Sequence, residues 1–190
     1  MVLTTDYANG TPLNKIYESE EDIVYEIGLT PNRGDATSHL GTARDLKAYF
    51  NRSLTLPVLK DFDLSHPKNP IKVTVEDHEG ALRYSGVTLR GIQVSVSPDW
   101  LKWKLKAIDL EPINNIVDIT NYVLHSLGQP MHAFDADEVG SSIIVKRLPT
   151  DTSFTTLDGK ERKLSDQDLM ICNTEGGMCL AGVFGGQKSG

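Results

Sequence analysis

The chain has 190 residues, is 39% hydrophobic and carries a formal net charge of −7 at neutral pH. Such apolar content can bury a core, which excludes a disordered chain, and the deficit of Lys and Arg excludes one that grips nucleic acid through its own phosphate contacts. Two cysteines are too few for a disulfide framework or a four-cysteine zinc site, no apolar stretch approaches membrane-spanning length, and the acidic residues within 1–30 exclude an ordinary secretory signal. The expectation is a reduced, cytoplasmic, soluble protein with no membrane and no DNA partner.

In chain order, Ile23, Tyr25 and Ile27 alternate as in a half-buried strand, and the run breaks at Thr30-Pro31-Asn32-Arg33-Gly34-Asp35. A helix is expected next, with Asp35 capping its first turn and Leu40, Ala43, Leu46 and Phe50 forming one apolar face. Asx and Gly residues are what a tight strand-to-helix turn demands, so this loop reads as structural, with Arg33 placed to bridge Asp35 or reach a neighbouring domain. Pro57, Pro67, Asn69 and Pro70 mark residues 57–70 as a connector, dividing the chain into a small unit at 1–70 and a larger one at 71–190.

The larger unit opens with Ile71, Val73 and Val75, then Leu82 and Tyr84, then Val87, Leu89, Ile92, Val94 and Val96, all patterned as strands interrupted by Gly86 and Gly91. Ser97-Pro98 reads as N-cap and first-turn proline of a helix buried through Leu101, Leu105 and Ile108. A second helix over 114–127 presents Ile116, Thr120, Val123, Leu124 and Leu127, and Gly128 followed by Pro130 stops it. Strands follow at Ile143–Val145, Leu169–Ile171 and Met178–Val183, with Asp158-Gly159 as a hairpin turn. This order predicts an α+β fold: a small α/β unit, then a mixed, largely antiparallel sheet with packed helices.

Polar groups concentrate where the second helix turns back. Asp118-Ile119-Thr120-Asn121-Tyr122 lies on the helix and Gly128-Gln129-Pro130-Met131-His132-Ala133-Phe134-Asp135 follows it. Thr120 offers a hydroxyl, Asn121 an amide and His132 an imidazole, and the turn can bring them to one ligand; alternatively, His132 is a satisfied histidine that pins the turn. A Ser126-His132-Asp135 triad is rejected because Ser126 lies mid-helix with no nucleophile elbow. His125, His132, Cys172 and Cys179 lack metal-ligand spacing, and the two cysteines read as small core residues.

Leu180-Ala181-Gly182-Val183-Phe184-Gly185-Gly186 joins an apolar strand to a glycine turn, either a plain strand terminus or a pocket wall. It has neither the Lys-Ser/Thr of a P-loop nor dinucleotide spacing, so no nucleotide site is expected there. Lys102, Lys104 and Lys106 around Trp103 read as a solvated helical face.

Three segments together resemble the phenylalanyl-tRNA synthetase β subunit family. They are Leu29-Thr30-Pro31-Asn32-Arg33-Gly34-Asp35 with Leu40-Gly41-Thr42-Ala43-Arg44, the stretch Asn114 to Asp135, and Leu157-Asp158-Gly159 through Gly186. The resemblance implies that 1–70 is the small domain after an inserted OB-fold plus the connector, and that 71–190 is most of the B3/B4 editing region. It implies hydrolysis of tyrosine misattached to tRNA specific for phenylalanine, with Thr120, Asn121 and His132 as catalytic or positioning groups. Pro130, Ala181 and Gly182 match positions that line the family's pocket. It further implies an α subunit in a heterotetramer and the tRNA acceptor end as partners, with ATP and Mg bound elsewhere in the whole enzyme and no cofactor in this piece. The acceptor carboxylate for the tyrosine hydroxyl is expected beyond Gly190, so the piece alone should be inactive. Glu111 stands where many members carry a basic residue. The alternatives are a non-catalytic scaffold that positions tRNA and a free-standing deacylase relative.

Overall fold

A strand gains free energy only when a neighbour completes its ladder and one face finds cover, and that condition sorts the apolar runs of this chain. The computed structural model describes residues 6–16, 22–58 and 70–187. A short helix α1 (Leu13–Ile16) precedes helix α2 (His39–Phe50), which follows a 3-10 turn at Gly34–Ala36. Strand β1 (Lys72–Val75) leads to helices α3 (Asp99–Lys106), α4 (Asn115–Leu127) and α5 (Ala136–Val139). Strands β2 (Ser142–Arg147), β3 (Ser153–Thr155), β4 (Glu161–Lys163), β5 (Leu169–Cys172), β6 (Gly177–Leu180) and β7 (Phe184–Gly185) complete the order.

The main sheet runs β1-β2-β5-β6-β7, with β1 parallel to β2 and every other pair antiparallel. A parallel pair needs a crossover, and residues 76–141 supply it through α3, α4 and α5. Side-chain alternation splits the core between the two sheet faces. Ile143, Val145 and Ile171 join Val139, Met178 and Cys179 on one face, while Met170 and Cys172 meet Phe154 and Leu164 of the β3–β4 hairpin on the other. Asp158 and Gly159, the latter at φ +74°, form that hairpin's turn as the sequence suggests. The α+β expectation with a mostly antiparallel sheet is what the fold shows.

The helices form their own layer, with α3 on α4 and α2 on α4. Leu101 and Leu105 of α3 are buried. Asn114 caps α4 by accepting from the amides of Ile116 and Val117 at 3.0 Å each, and Gly128 ends it in the left-handed region at φ +79°. Asp118, fully buried, accepts from the Ser97 hydroxyl at 2.5 Å and from the Ile113 amide at 2.9 Å. The N-cap of α3 is Pro98, one residue later than expected and with no side-chain cap bond, because the Ser97 hydroxyl is committed to Asp118 and stitches the start of α3 to α4.

Two runs expected as strands are not strands. Residues 22–30 carry no strand, and Ile23 and Tyr25 stand 74% and 76% exposed. Residues 82–96 likewise form no ladder among the described residues, although Val87, Leu89, Ile92, Val94 and Val96 alternate as expected. The end of that run is bonded to a helix instead: the Asn115 amide donates to the Ser95 carbonyl at 2.9 Å and the Asn115 side chain to the Gln93 carbonyl at 3.0 Å. Alternation marks which face would be covered, but among the described residues no adjacent strand pairs with the run.

The cap of α2 also differs from expectation. Ser38 accepts from the Gly41 amide at 3.1 Å, while Asp35 sits in the preceding 3-10 turn and binds Arg33 at 3.0 Å. Arg33 also reaches Asp45 at 2.7 Å, closing the loop onto α2. These exposed pairs hold its guanidinium pKa above the ordinary value, with Asp35 the larger cause. Leu46 and Phe50, expected to face inward, are exposed and with Ala43 and Leu54 line a shallow apolar depression. Of the expected connector 57–70, residues 59–69 lie outside the described residues.

Candidate functional site

Past Gly128 the chain reverses through Gln129 and Pro130 and runs down to the main sheet, where His132 meets the β6–β7 hairpin. The His132 Nε2 lies 3.5 Å from the Cys179 sulfur. Cys179 and Gly185 are directly paired across β6 and β7. The imidazole edge rests on that cross-strand pair: a Cβ on Gly185 would stand 3.1 Å from His132 Cε1 and 2.7 Å from Leu157 Cδ1. Only glycine leaves room for the ring at that position. Phe134 packs against the ring with centroids 4.4 Å apart at 59°, and belongs with Ala181 and Tyr84 to the core cluster built around Cys179.

The outer part of the His132 side chain is exposed. Partial desolvation lowers its pKa from the ordinary imidazole value, which favours the neutral ring. Tyr84 titrates above its ordinary value, first because it is half-buried and second because Cys179 is near. Gly182 turns the chain after β6 at φ +70°, a conformation that suits glycine and leaves backbone rather than side chain facing outward.

Five of the expected site residues thus divide between two places. His132, Ala181 and Gly182 gather at the β6–β7 hairpin, whereas Thr120 and Asn121 belong to α4 in the helical layer. The Thr120 hydroxyl donates to the Val117 carbonyl at 2.7 Å, Asn121 is half-buried, and among the described residues neither hydrogen-bonds His132. Pro130 is exposed in the reversal, its carbonyl accepting from Gln129 Nε2 at 3.0 Å. The sequence marks Cys179 only as a small core residue and gives Gly185 and Phe134 no role of their own. The apolar strand and glycine turn gave the hairpin, but not which of its residues would meet a ring 47 positions earlier.

An exchange to Ala at Gly185 tests this seating. Overpacking of about 1–3 kcal/mol outweighs the roughly 0.4–1 kcal/mol gained by restricting the unfolded chain. The expected result is a displaced His132 ring, seen as a shift of its Cε1 proton resonance; an unmoved resonance contradicts the contact.

The basic run on α3 is paired with carboxylates. Lys102 pairs with Asp99 at 2.6 Å, Lys104 with Asp22 at 3.0 Å and Lys106 with Glu111 at 3.7 Å, so each lysine of the basic run faces a carboxylate. Among the described residues no group of three or more His, Cys, Asp or Glu side chains is placed to hold a metal ion, and no helix is long and apolar enough to cross a membrane.

The B3/4 domain family matches residues 80–190. The whole chain is 51% identical to a phenylalanine–tRNA ligase beta subunit of Bacteroides fragilis, 48% to one of Bacteroides thetaiotaomicron and 44% to one of Salinibacter ruber. In each case it covers 24% of the relative's length. The family match takes in α3, α4 and the glycine hairpin, and on it the chain belongs to the B3/4 domain family.

Proposed function

We propose that this chain is the proofreading part of a phenylalanine–tRNA ligase beta subunit, hydrolysing the ester between tyrosine and tRNA specific for phenylalanine. The observation that carries the reading is the His132 imidazole, its pKa lowered by partial burial, held on the Cys179–Gly185 pair of the hairpin that Gly182 turns, with its outer side open. A neutral imidazole can donate to or accept from an ester group and its attacking water. The glycine turn lets a flat aromatic ring lie close to the main chain.

The chemical need is general. A hydrophobic synthetic pocket rejects an isostere with one added hydroxyl by only about 10²-fold, so a second site must remove the errors. Thr120 keeps its oxygen lone pairs available while donating to Val117, and we assign it, with Asn121, to polar groups of the terminal nucleotide. Pro130 fixes the turn that delivers His132. Activation with ATP and Mg, the tRNA body and the α subunit belong to the rest of the ligase. The acceptor for the tyrosine hydroxyl is assigned to a carboxylate after Gly190.

The test uses the assembled α and β subunits, Tyr-tRNA deacylation, and non-hydrolysable amide isosteres of tyrosyl- and phenylalanyl-adenosine as competitors. A buried partner for the phenol is worth about 1–3 kcal/mol, so the tyrosyl isostere should inhibit roughly 5- to 150-fold more strongly. Equal inhibition by both contradicts the reading.

A further inference from the structure

We propose that Cys179 is a positioning residue for His132, its thiol donating to Nε2 and so fixing the ring's hydrogen on Nδ1, on the open side. The proposal rests on the editing reading and assigns His132 one role out of two. Both a general base and a hydrogen-bond donor are within the reach of a neutral imidazole, and the tautomer decides between them.

Nε2 faces the Cys179 sulfur at 3.5 Å, and Cys179 is 3% exposed. One alternative has the ring N–H point at sulfur, which spends a strong donor on a weak acceptor and takes it away from water. The other has the weak S–H donor meet the strong lone pair of imidazole nitrogen, leaving the ring N–H to water or substrate. The second arrangement matches each group to its better partner. Gly185 and Phe134 hold the ring in that orientation, since Cε1 rests on the glycine and the phenyl ring packs beside it.

A donor on the open side changes the chemistry assigned to the site. Nδ1–H is placed to bind the ester carbonyl oxygen, where negative charge grows as water adds to the carbonyl carbon. The new carbon–oxygen bond comes from water and the bond to the ribose oxygen breaks. One water proton ends on the leaving ribose hydroxyl and the other is released to solvent as the amino acid carboxylate forms. His132 takes up no proton in this scheme.

The experiment has two arms. Carbon and nitrogen chemical shifts of the His132 ring, recorded on the 190-residue chain above the imidazole titration range, report the tautomer. The wild type and Cys179→Ser should both show Nδ1–H, and Cys179→Ala should move the population toward Nε2–H. In the assembled ligase, Cys179→Ala should lower kcat for Tyr-tRNA deacylation about tenfold with KM unchanged, and Cys179→Ser should restore most of it. Nε2–H in the wild type, or an unmoved tautomer in Cys179→Ala, overturns the thiol contact. A moved tautomer with unchanged deacylation overturns its part in the reaction. Full deacylation by His132→Ala is the separate result that removes the editing reading itself.

Discussion

Replacing Asp118 by Ala should lower the unfolding free energy of the chain by about 2–4 kcal/mol, measured by chemical denaturation followed by circular dichroism. The carboxylate is fully buried and binds the Ser97 hydroxyl and the Ile113 amide, and Ser97 is itself buried. Truncation leaves the buried Ser97 hydroxyl without its acceptor and removes the bond to the Ile113 amide, and hydrogen bonds to charged groups are worth about 1.5–3 kcal/mol each. The acidic group also sits in the first turn of α4, where the helix dipole favours it by roughly 0.3–1 kcal/mol. Asp118→Asn keeps one acceptor and most of the volume, so its loss should be smaller. Ser97→Ala combined with Asp118→Ala should cost less than the two separately, because they remove one shared interaction. A loss below about 0.5 kcal/mol, the ordinary surface range, is incompatible with the network.

This residue also shows how far sequence reasoning reaches. Asn114, read as the first helical residue, is the cap of α4, whereas Gly128 at the end of the helix was legible because caps act through the nearest few residues, and Asp158-Gly159 was legible for the same reason. That Asp118 would be the bond between α3 and α4 was not, since it depends on Ser97 arriving from another element. Ser38 rather than Asp35 caps α2 because the chain inserts a 3-10 turn first, and both residues are acceptable caps by type. The runs at 23–27 and 82–96 alternate correctly, yet alternation does not encode whether a neighbouring strand exists.

The site follows the same division. His132, Ala181 and Gly182 were legible as polar and small residues at turns, and the hairpin brings them together. The seating of His132 on Cys179 and Gly185 depends on the β6–β7 register, which pairs residues 179 and 185 and selects the face met by the imidazole. Thr120 and Asn121, close to His132 in sequence, lie in a different layer because α4 packs on α2 and α3.

His132→Ala is the second large expected effect. A positioned imidazole contributes about 10²–10⁴-fold to proton transfer, and removal of one donor at a developing oxyanion costs about 10²–10³-fold. The ring is half-open to solvent and is not part of the buried core, so its loss should leave folding and phenylalanine charging intact. His132→Asn, which retains a donor on a shorter side chain, should recover a fraction of the activity if hydrogen-bond donation is the role. The most direct measurement is the rate of Tyr-tRNA deacylation by the assembled ligase carrying His132→Ala, beside its rate of phenylalanine charging. The expected result is deacylation reduced about 100-fold with charging unchanged; deacylation at the wild-type rate would show that the β6–β7 hairpin and its imidazole are not the proofreading site.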